Sequence, residues 1–115
     1  MSLDALLHAE MIRSLEAFLD KRRPPERIRS EIDLSYRIEQ QSVILYTIRP
    51  HFQLKDKWIE SAFAKATWVK SRQLWKVFWM SGNLKWLAYE PKLTTPSFDD
   101  FLHEVDEDPR SCFWG

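Results

Sequence analysis

Apolar positions near the start of the chain recur at three- and four-residue steps. Leu3, Leu7, Met11, Leu15, Phe18 and Leu19 form one helical stripe. The spacing predicts a helix over residues 2–22 with Ser2 as its cap. Lys21, Arg22 and Arg23 stand at its end, where cations suit the helix dipole, and Pro24-Pro25 stops it. Period two follows. Ile32, Leu34, Tyr36 and Ile38 alternate with Asp33, Ser35, Arg37 and Glu39, which predicts a half-covered strand over 31–39. After a turn near Gln40-Gln41, a strand over 43–50 is apolar on both sides and belongs inside the sheet. The stretch from His51 to Glu60 has no clear period and is read as a connection.

Residues 61–70, 73–80 and 84–90 are read as three strands joined by tight turns. A turn at Ser71-Arg72 sets Trp68 opposite Trp75, Ala66 opposite Val77 and Ala64 opposite Trp79. Gly82-Asn83 is read as a two-residue turn, because glycine accepts a positive φ. That turn sets Trp79 opposite Trp86, Phe78 opposite Leu87 and Val77 opposite Ala88. One face then holds Ala64, Ala66, Trp68, Trp75, Val77, Trp79, Trp86 and Ala88, large residues against small ones. The other holds Phe63, Val69, Leu74, Phe78, Met80, Leu87 and Tyr89, interleaved with Lys65, Lys76 and Lys85. A second helix is expected over 97–107, capped by Ser97 and burying Phe98, Phe101, Leu102 and Val105. A tail, 108–115, completes one domain spanning 1–115.

The fold class that follows is α+β: a five-stranded antiparallel meander, order 1-2-3-4-5, flanked by an N-terminal and a C-terminal helix. Both helices pack mainly on one face, where the alanines leave room for them.

Composition adds two facts. Aromatic residues reach 14%, with six Trp, and the formal net charge is zero, so no global field steers the chain onto nucleic acid or a membrane. The charges are nonetheless segregated. Lys55, Lys57, Lys65, Lys70, Arg72, Lys76, Lys85 and Lys92 outnumber Asp56, Glu60 and Glu90. Beyond them Asp99, Asp100, Glu104, Asp106, Glu107 and Asp108 face Arg110 alone. No apolar run reaches the length of a membrane span, the start lacks a signal-peptide pattern, and one Cys permits no internal disulfide. A cytoplasmic setting without membrane association is expected.

Chemistry-bearing motifs are few. The only glycines are Gly82 and Gly115, so there is no phosphate-binding loop, nucleophile elbow or dinucleotide fingerprint. Cys112 follows a helix C-terminus and an acidic run, and both oppose a thiolate. His103 with Asp99 and Asp106 lies near one helix face, but no second cluster completes a metal site. Glu90 beside Tyr89, with Lys65 and Arg49 as neighbours, reads as a strand-edge ion-pair cluster. No catalytic residue, metal or cofactor is assigned. Lys65, Lys76, Phe78, Lys85 and Tyr89 combine cations and rings as single-strand binders do, and "KRRPPERIR" adds basic residues. The acidic segment and the zero net charge weigh against that use. Phe113 and Trp114 are read first as a plug packed inside the fold and second as a latch into another molecule.

Several short stretches, "YRIEQQSV", Arg49-Pro50, Ala64-Lys65, "KWLAYEP" and above all the closing "EVDEDPRSCFWG", resemble the bacterial domain of unknown function 3024 family. The resemblance covers about Tyr36 to the last residue, and the N-terminal helix fits by position. It implies a small stand-alone bacterial protein and no activity.

The function expected from these readings is a non-enzymatic binding or assembly module. A homodimer is expected because two helices cannot cover two apolar sheet faces. In that dimer Asp106-Glu107-Asp108, Phe113 and Trp114 of one copy would meet the lysine-bearing face of the other. Interaction residues are therefore Lys65, Lys76, Phe78, Lys85, Tyr89, Cys112, Phe113 and Trp114. The runner-up is single-stranded nucleic-acid binding, and a small enzyme with an unrecognised site comes third.

Overall fold

The computed structural model describes residues 4–54 and 56–114. The chain runs α1 (Ala5–Arg22), β1 (Asp33–Glu39), β2 (Ser42–Pro50), β3 (Trp58–Val69), β4 (Leu74–Met80), β5 (Trp86–Ala88), β6 (Thr94–Thr95) and α2 (Phe98–Glu107). Single 3-10 turns occupy Glu26–Ile28 and Glu90–Lys92. All pairings are antiparallel, in the order β1-β2-β3-β4-β5, with β6 also on β4. The α+β meander expected from the pattern is therefore present, with one short strand added.

Both helices lie on one face. Met11, Leu15, Phe18 and Leu19 of α1 and Phe98, Phe101, Leu102 and Val105 of α2 share one core with Leu34, Val43, Leu45, Ala64, Ala66, Trp75 and Val77. The alanines of β3 admit the Trp75 ring, which packs on Trp68 at 5.2 Å and on Phe98 at 5.0 Å between ring centres. Asp4 caps α1, accepting the Leu7 N–H at 2.9 Å; Ser2, the expected cap, lies outside the described residues. Ser97 caps α2 as expected, accepting from the Asp100 N–H at 3.1 Å.

Four local readings need correction. The β3–β4 register is as expected, and the register of the next hairpin is not. Met80 stands opposite Trp86, Trp79 opposite Leu87 and Phe78 opposite Ala88. The loop is longer than two residues: the Ser81 N–H bonds to the Lys85 carbonyl at 2.9 Å, and the positive φ, 61°, falls on Leu84 rather than Gly82. This one-residue shift moves Trp86 and Ala88 to the helix-free face and Leu87 to the other.

Second, the register slips between Leu45 and Tyr46, so that Leu45 meets Ala64 and Tyr46 meets Ala62. The unpaired residue is Phe63. This bulge turns its ring into the core instead of the helix-free face. Third, β3 begins at Trp58, so part of the stretch read as a connection is strand. Fourth, β5 ends at Ala88. The edge strand leaves β4 through the Glu90–Lys92 turn and returns as β6, while Tyr89 drops into the core. Pro91, which has no N–H to give the ladder, stands in that detour.

Candidate functional site

Among the described residues no helix covers the second sheet face. Across its middle stand Arg37 of β1, Ile44 and Tyr46 of β2, Lys65 and Thr67 of β3, Lys76, Phe78 and Met80 of β4 and Trp86 of β5, placed there by the registers above. The face has two electrostatic halves. On the β1–β2 side Arg37 lies over the Tyr46 ring at 5.2 Å and pairs with Glu60 at 3.1 Å and Glu39 at 3.5 Å, so its one positive charge is outweighed by two carboxylates. On the β4–β5 side the balance differs. Among the described residues Lys65, Lys70, Arg72, Lys76 and Lys85 enter no ion pair.

Lys65 is the centre of that half. Its ammonium lies 4.8 Å from the Phe78 ring centre and 4.9 Å from that of Trp86. Burial against these rings holds the amine below its ordinary pKa, and Glu39 opposes this only from a distance. Beside it, where the edge strand swings away from β4, a groove of about 310 Å3 opens between Arg72, Lys76, Phe78, Ala88, Leu93 and Thr94. The result is a shallow surface of cations and rings facing solvent, suited to anionic groups and flat apolar ones.

Of the expected interaction residues, Lys65, Lys76 and Phe78 share this face, and Lys85 is exposed in the neighbouring loop. Tyr89 does not join them. It is fully buried on the helix side, packed on Phe113 at 4.8 Å, with its hydroxyl 3.4 Å from Glu104. Burial first, then the Glu104 carboxylate, push this phenol up to about 12. Trp86 and Arg72 belong to the site and were missed. Pairing Met80 with Trp86 in the register count would have found the first.

Cys112, Phe113 and Trp114 are also away from the helix-free face. Asp108 ends α2 in the left-handed region, φ 42°. Its carboxylate accepts the backbone N–H groups of Cys112 at 2.8 Å, Phe113 at 3.1 Å and Trp114 at 2.8 Å. The tail so gathered buries Phe113 against Tyr89 and lays Trp114 on Phe63 at 4.8 Å. The indole N–H of Trp114 donates to the Val105 carbonyl at 2.6 Å, an acceptor left free at the end of α2. Arg22 lies over the same indole at 5.0 Å. Burial, then Asp108, raise the Cys112 thiol above its ordinary value, with Arg110 opposing.

The acidic segment is engaged on this side too. Asp106 accepts from Lys21 at 3.0 Å and from Arg22. Those hydrogen bonds, Lys21's first, hold its carboxyl below the usual carboxylate value. A depressed folded-state value stabilises the fold above the unfolded value near 4, and the contribution is lost as pH falls through the folded one. Asp106→Asn is therefore expected to flatten the acid limb of a stability-versus-pH curve below about pH 4. An unchanged acid limb would show that the pair is spent in screening alone.

The "KRRPPERIR" residues are likewise used within the chain. Arg23 pairs with Asp33 at 2.7 Å, and Arg29 donates to the Pro24 carbonyl at 2.9 Å. Asp106 is turned away from any metal with His103, which instead approaches Glu107 at 4.0 Å. No group of three His, Cys, Asp or Glu among the described residues is placed to hold a metal. Glu90, Tyr89, Lys65 and Arg49 do not form one cluster: Tyr89 is in the core, Lys65 on the opposite face, and Glu90 and Arg49 are exposed. A cleft of about 200 Å3 between α1 and the start of α2 is floored by Met11, Trp68, Trp75 and Phe98, with Glu10 and Asp99 at its rim. It is smaller than ordinary ligand pockets.

The family model described as "Domain of unknown function (DUF3024)" matches residues 3–115, nearly the whole chain. The chain belongs to this family. No curated protein and no solved structure matches it. The DUF3024 match extends through α1, which the sequence resemblance reached only by position. The residues that carried the resemblance now have separate places. Arg37, Lys65 and Trp86 stand on the helix-free face, whereas the stretch ending in Cys112, Phe113 and Trp114 closes the core. No helix among the described residues is long and apolar enough to cross a membrane.

Proposed function

We propose that this DUF3024 protein is a non-enzymatic binding module that takes an anionic chain on the β4–β5 half of its helix-free face. Single-stranded nucleic acid is the class that fits. The observation that carries this reading is Lys65, pressed against Phe78 and Trp86 and flanked by Lys76 and Arg72, three cations that enter no ion pair among the described residues. Single-strand binders combine a cationic track with rings that accept bases of any sequence. The acidic segment had counted against this use. It is tied to α1 and to the tail on the opposite side, so it does not shadow the face. The free Cys112 fits a reducing, cytoplasmic setting.

Fluorescence anisotropy with a labelled pyrimidine 20-mer tests it. Three or four phosphate contacts give weak binding at physiological salt, with log K falling against log salt at a slope of about −2 to −3. Lys76→Glu should weaken binding severalfold and Trp86→Ala by roughly tenfold. Absence of binding at low salt, or affinity untouched by both changes, would reject the reading.

A second copy of the chain on the same face is the second reading, favoured by half-buried Ile48, Phe78, Met80 and Trp86 lying there without a helix. The tail is not free to form that contact, because Phe113 fills its own core. Light scattering well above micromolar concentration separates the two: a strict monomer removes the second copy.

A further inference from the structure

The β2–β3 hairpin runs on past the end of β1. Asp33, the first residue of β1, pairs with Ile48, and beyond it only Arg49 with Ile59 and Pro50 with Trp58 continue the ladder. At the end of this two-stranded extension Phe52 is 81% exposed, Leu54 53% and Trp58 56%. No other stretch of the described residues gathers three large apolar side chains so openly.

Hydrogen bonds tie the described residues of the tip to one another. The His51 imidazole Nδ1 accepts the backbone N–H groups of Gln53 and Leu54, each at 3.1 Å. The Lys57 N–H bonds to the Leu54 carbonyl, and the His51 N–H to the Lys57 carbonyl, both at 2.9 Å. Phe52 stacks on His51 at 4.9 Å, nearly parallel. A turn fixed in this way spends hydrogen bonds to hold apolar side chains in water, which folding alone does not reward.

Two properties narrow what covers it. The three side chains offer roughly 400 Å2 of apolar surface, the size of a functional patch on a monomer. Even two such tips together fall short of the 1,200 Å2 or so of a standard protein interface. Exposed Arg49 and Lys57 flank the tip and are unpaired among the described residues; Asp56 is the acidic residue between them, while nearby Glu60 is held by Arg37. A narrow aromatic-aliphatic point with a cationic collar matches a bilayer interface, which needs no wide complementary surface and favours Trp at headgroup depth.

We propose that the β2–β3 tip docks on anionic phospholipid, with Phe52, Leu54 and Trp58 entering the headgroup region and Arg49 and Lys57 meeting lipid phosphates. The contact is peripheral and does not require a spanning segment. It is independent of the β4–β5 half of the sheet face, which uses other residues.

The test is co-sedimentation of the full chain with vesicles of equal phosphatidylglycerol and phosphatidylcholine, and with phosphatidylcholine alone. The expected result is salt-sensitive binding to the anionic vesicles only. Phe52→Ala with Leu54→Ala should lower the partition coefficient at least tenfold, and Lys57→Glu severalfold, with the melting temperature and oligonucleotide affinity unchanged. Brominated phosphatidylglycerol should quench an emission component that Trp58→Phe removes. No sedimentation with anionic vesicles, or equal sedimentation of the Phe52/Leu54 double variant, overturns the proposal. A change in solution mass on making that variant would assign the tip to a second copy and overturn it equally.

Discussion

A chain cut after Ser111 is expected to melt roughly 15–20 °C lower than the full chain, or not to fold at ordinary temperature. The reason is the number of separate elements that Cys112–Trp114 join. Phe113 closes the core over Tyr89, and a buried Phe truncated to Ala costs about 3–5 kcal/mol. Trp114 covers Phe63, satisfies the Val105 carbonyl and lies under Arg22, so its loss uncovers the β3 bulge and the ends of α1 and α2 together. Asp108 loses the three N–H groups that organise the turn. Against a typical total of about 5–15 kcal/mol, this is a large share. Point variants should rank accordingly. Phe113→Ala should fall nearly as far as the truncation, Trp114→Ala less, and Cys112→Ala within a few degrees of wild type. Asp108→Gly separates two effects, since glycine relieves the left-handed backbone while removing the carboxylate. A net loss of stability there shows that the carboxylate dominates. A truncated chain with an unchanged melting temperature would mean that the tail merely rests on the fold.

The sequence was most legible where one face of an element is wholly buried. The α1 and α2 stripes, the β1 alternation and the Ala-against-Trp pairing of β3 with β4 all assign each residue to one side, and a slip would bury a charge. Legibility failed where apolar residues occupy both sides. Around Trp79, Met80, Trp86 and Leu87 either register puts a large apolar residue on each face, so the turn alone decides. Gly82 drew attention as the residue free to take positive φ, whereas Leu84 takes it. The Phe63 bulge left no mark either, because alanine-flanked aromatics suit both faces. Those two failures misplaced the site. They put Phe63, Leu87 and Tyr89 on the helix-free face and left Trp86 off it. Lys65 and Lys76 were placed correctly because a charged side chain tolerates only the open side, whereas Lys85, carried by the misread hairpin, lies in the β4–β5 loop. The tip at Phe52 and Leu54 lacked any period because it is a turn held by His51, not an amphipathic element.

Lys65→Met is expected to weaken oligonucleotide binding tenfold or more while leaving the fold as stable as before or more stable. Burial against Phe78 and Trp86 lowers the Lys65 pKa, so folding disfavours the charged amine. The sign follows from linkage. With the folded value below the unfolded one, the unfolded chain holds more protons between them, and stability rises with pH across that alkaline window. At neutral pH the amine therefore carries a desolvation cost, only partly offset by its contacts with the two rings. Methionine keeps an unbranched chain, one atom shorter, that packs on aromatic rings without a charge, and it removes the desolvated ammonium together with its cation–π contacts. Were Lys65 there to hold the sheet, the substitution would lower the melting temperature and abolish no binding. Were it there to meet an anion, stability and binding would move apart, as they do where a site is kept at the expense of the fold. A melting curve for Lys65→Met from neutral to alkaline pH, beside an anisotropy titration, reads both quantities on one protein. A clear loss of stability with binding intact would remove Lys65 from the site and the anionic-chain reading with it.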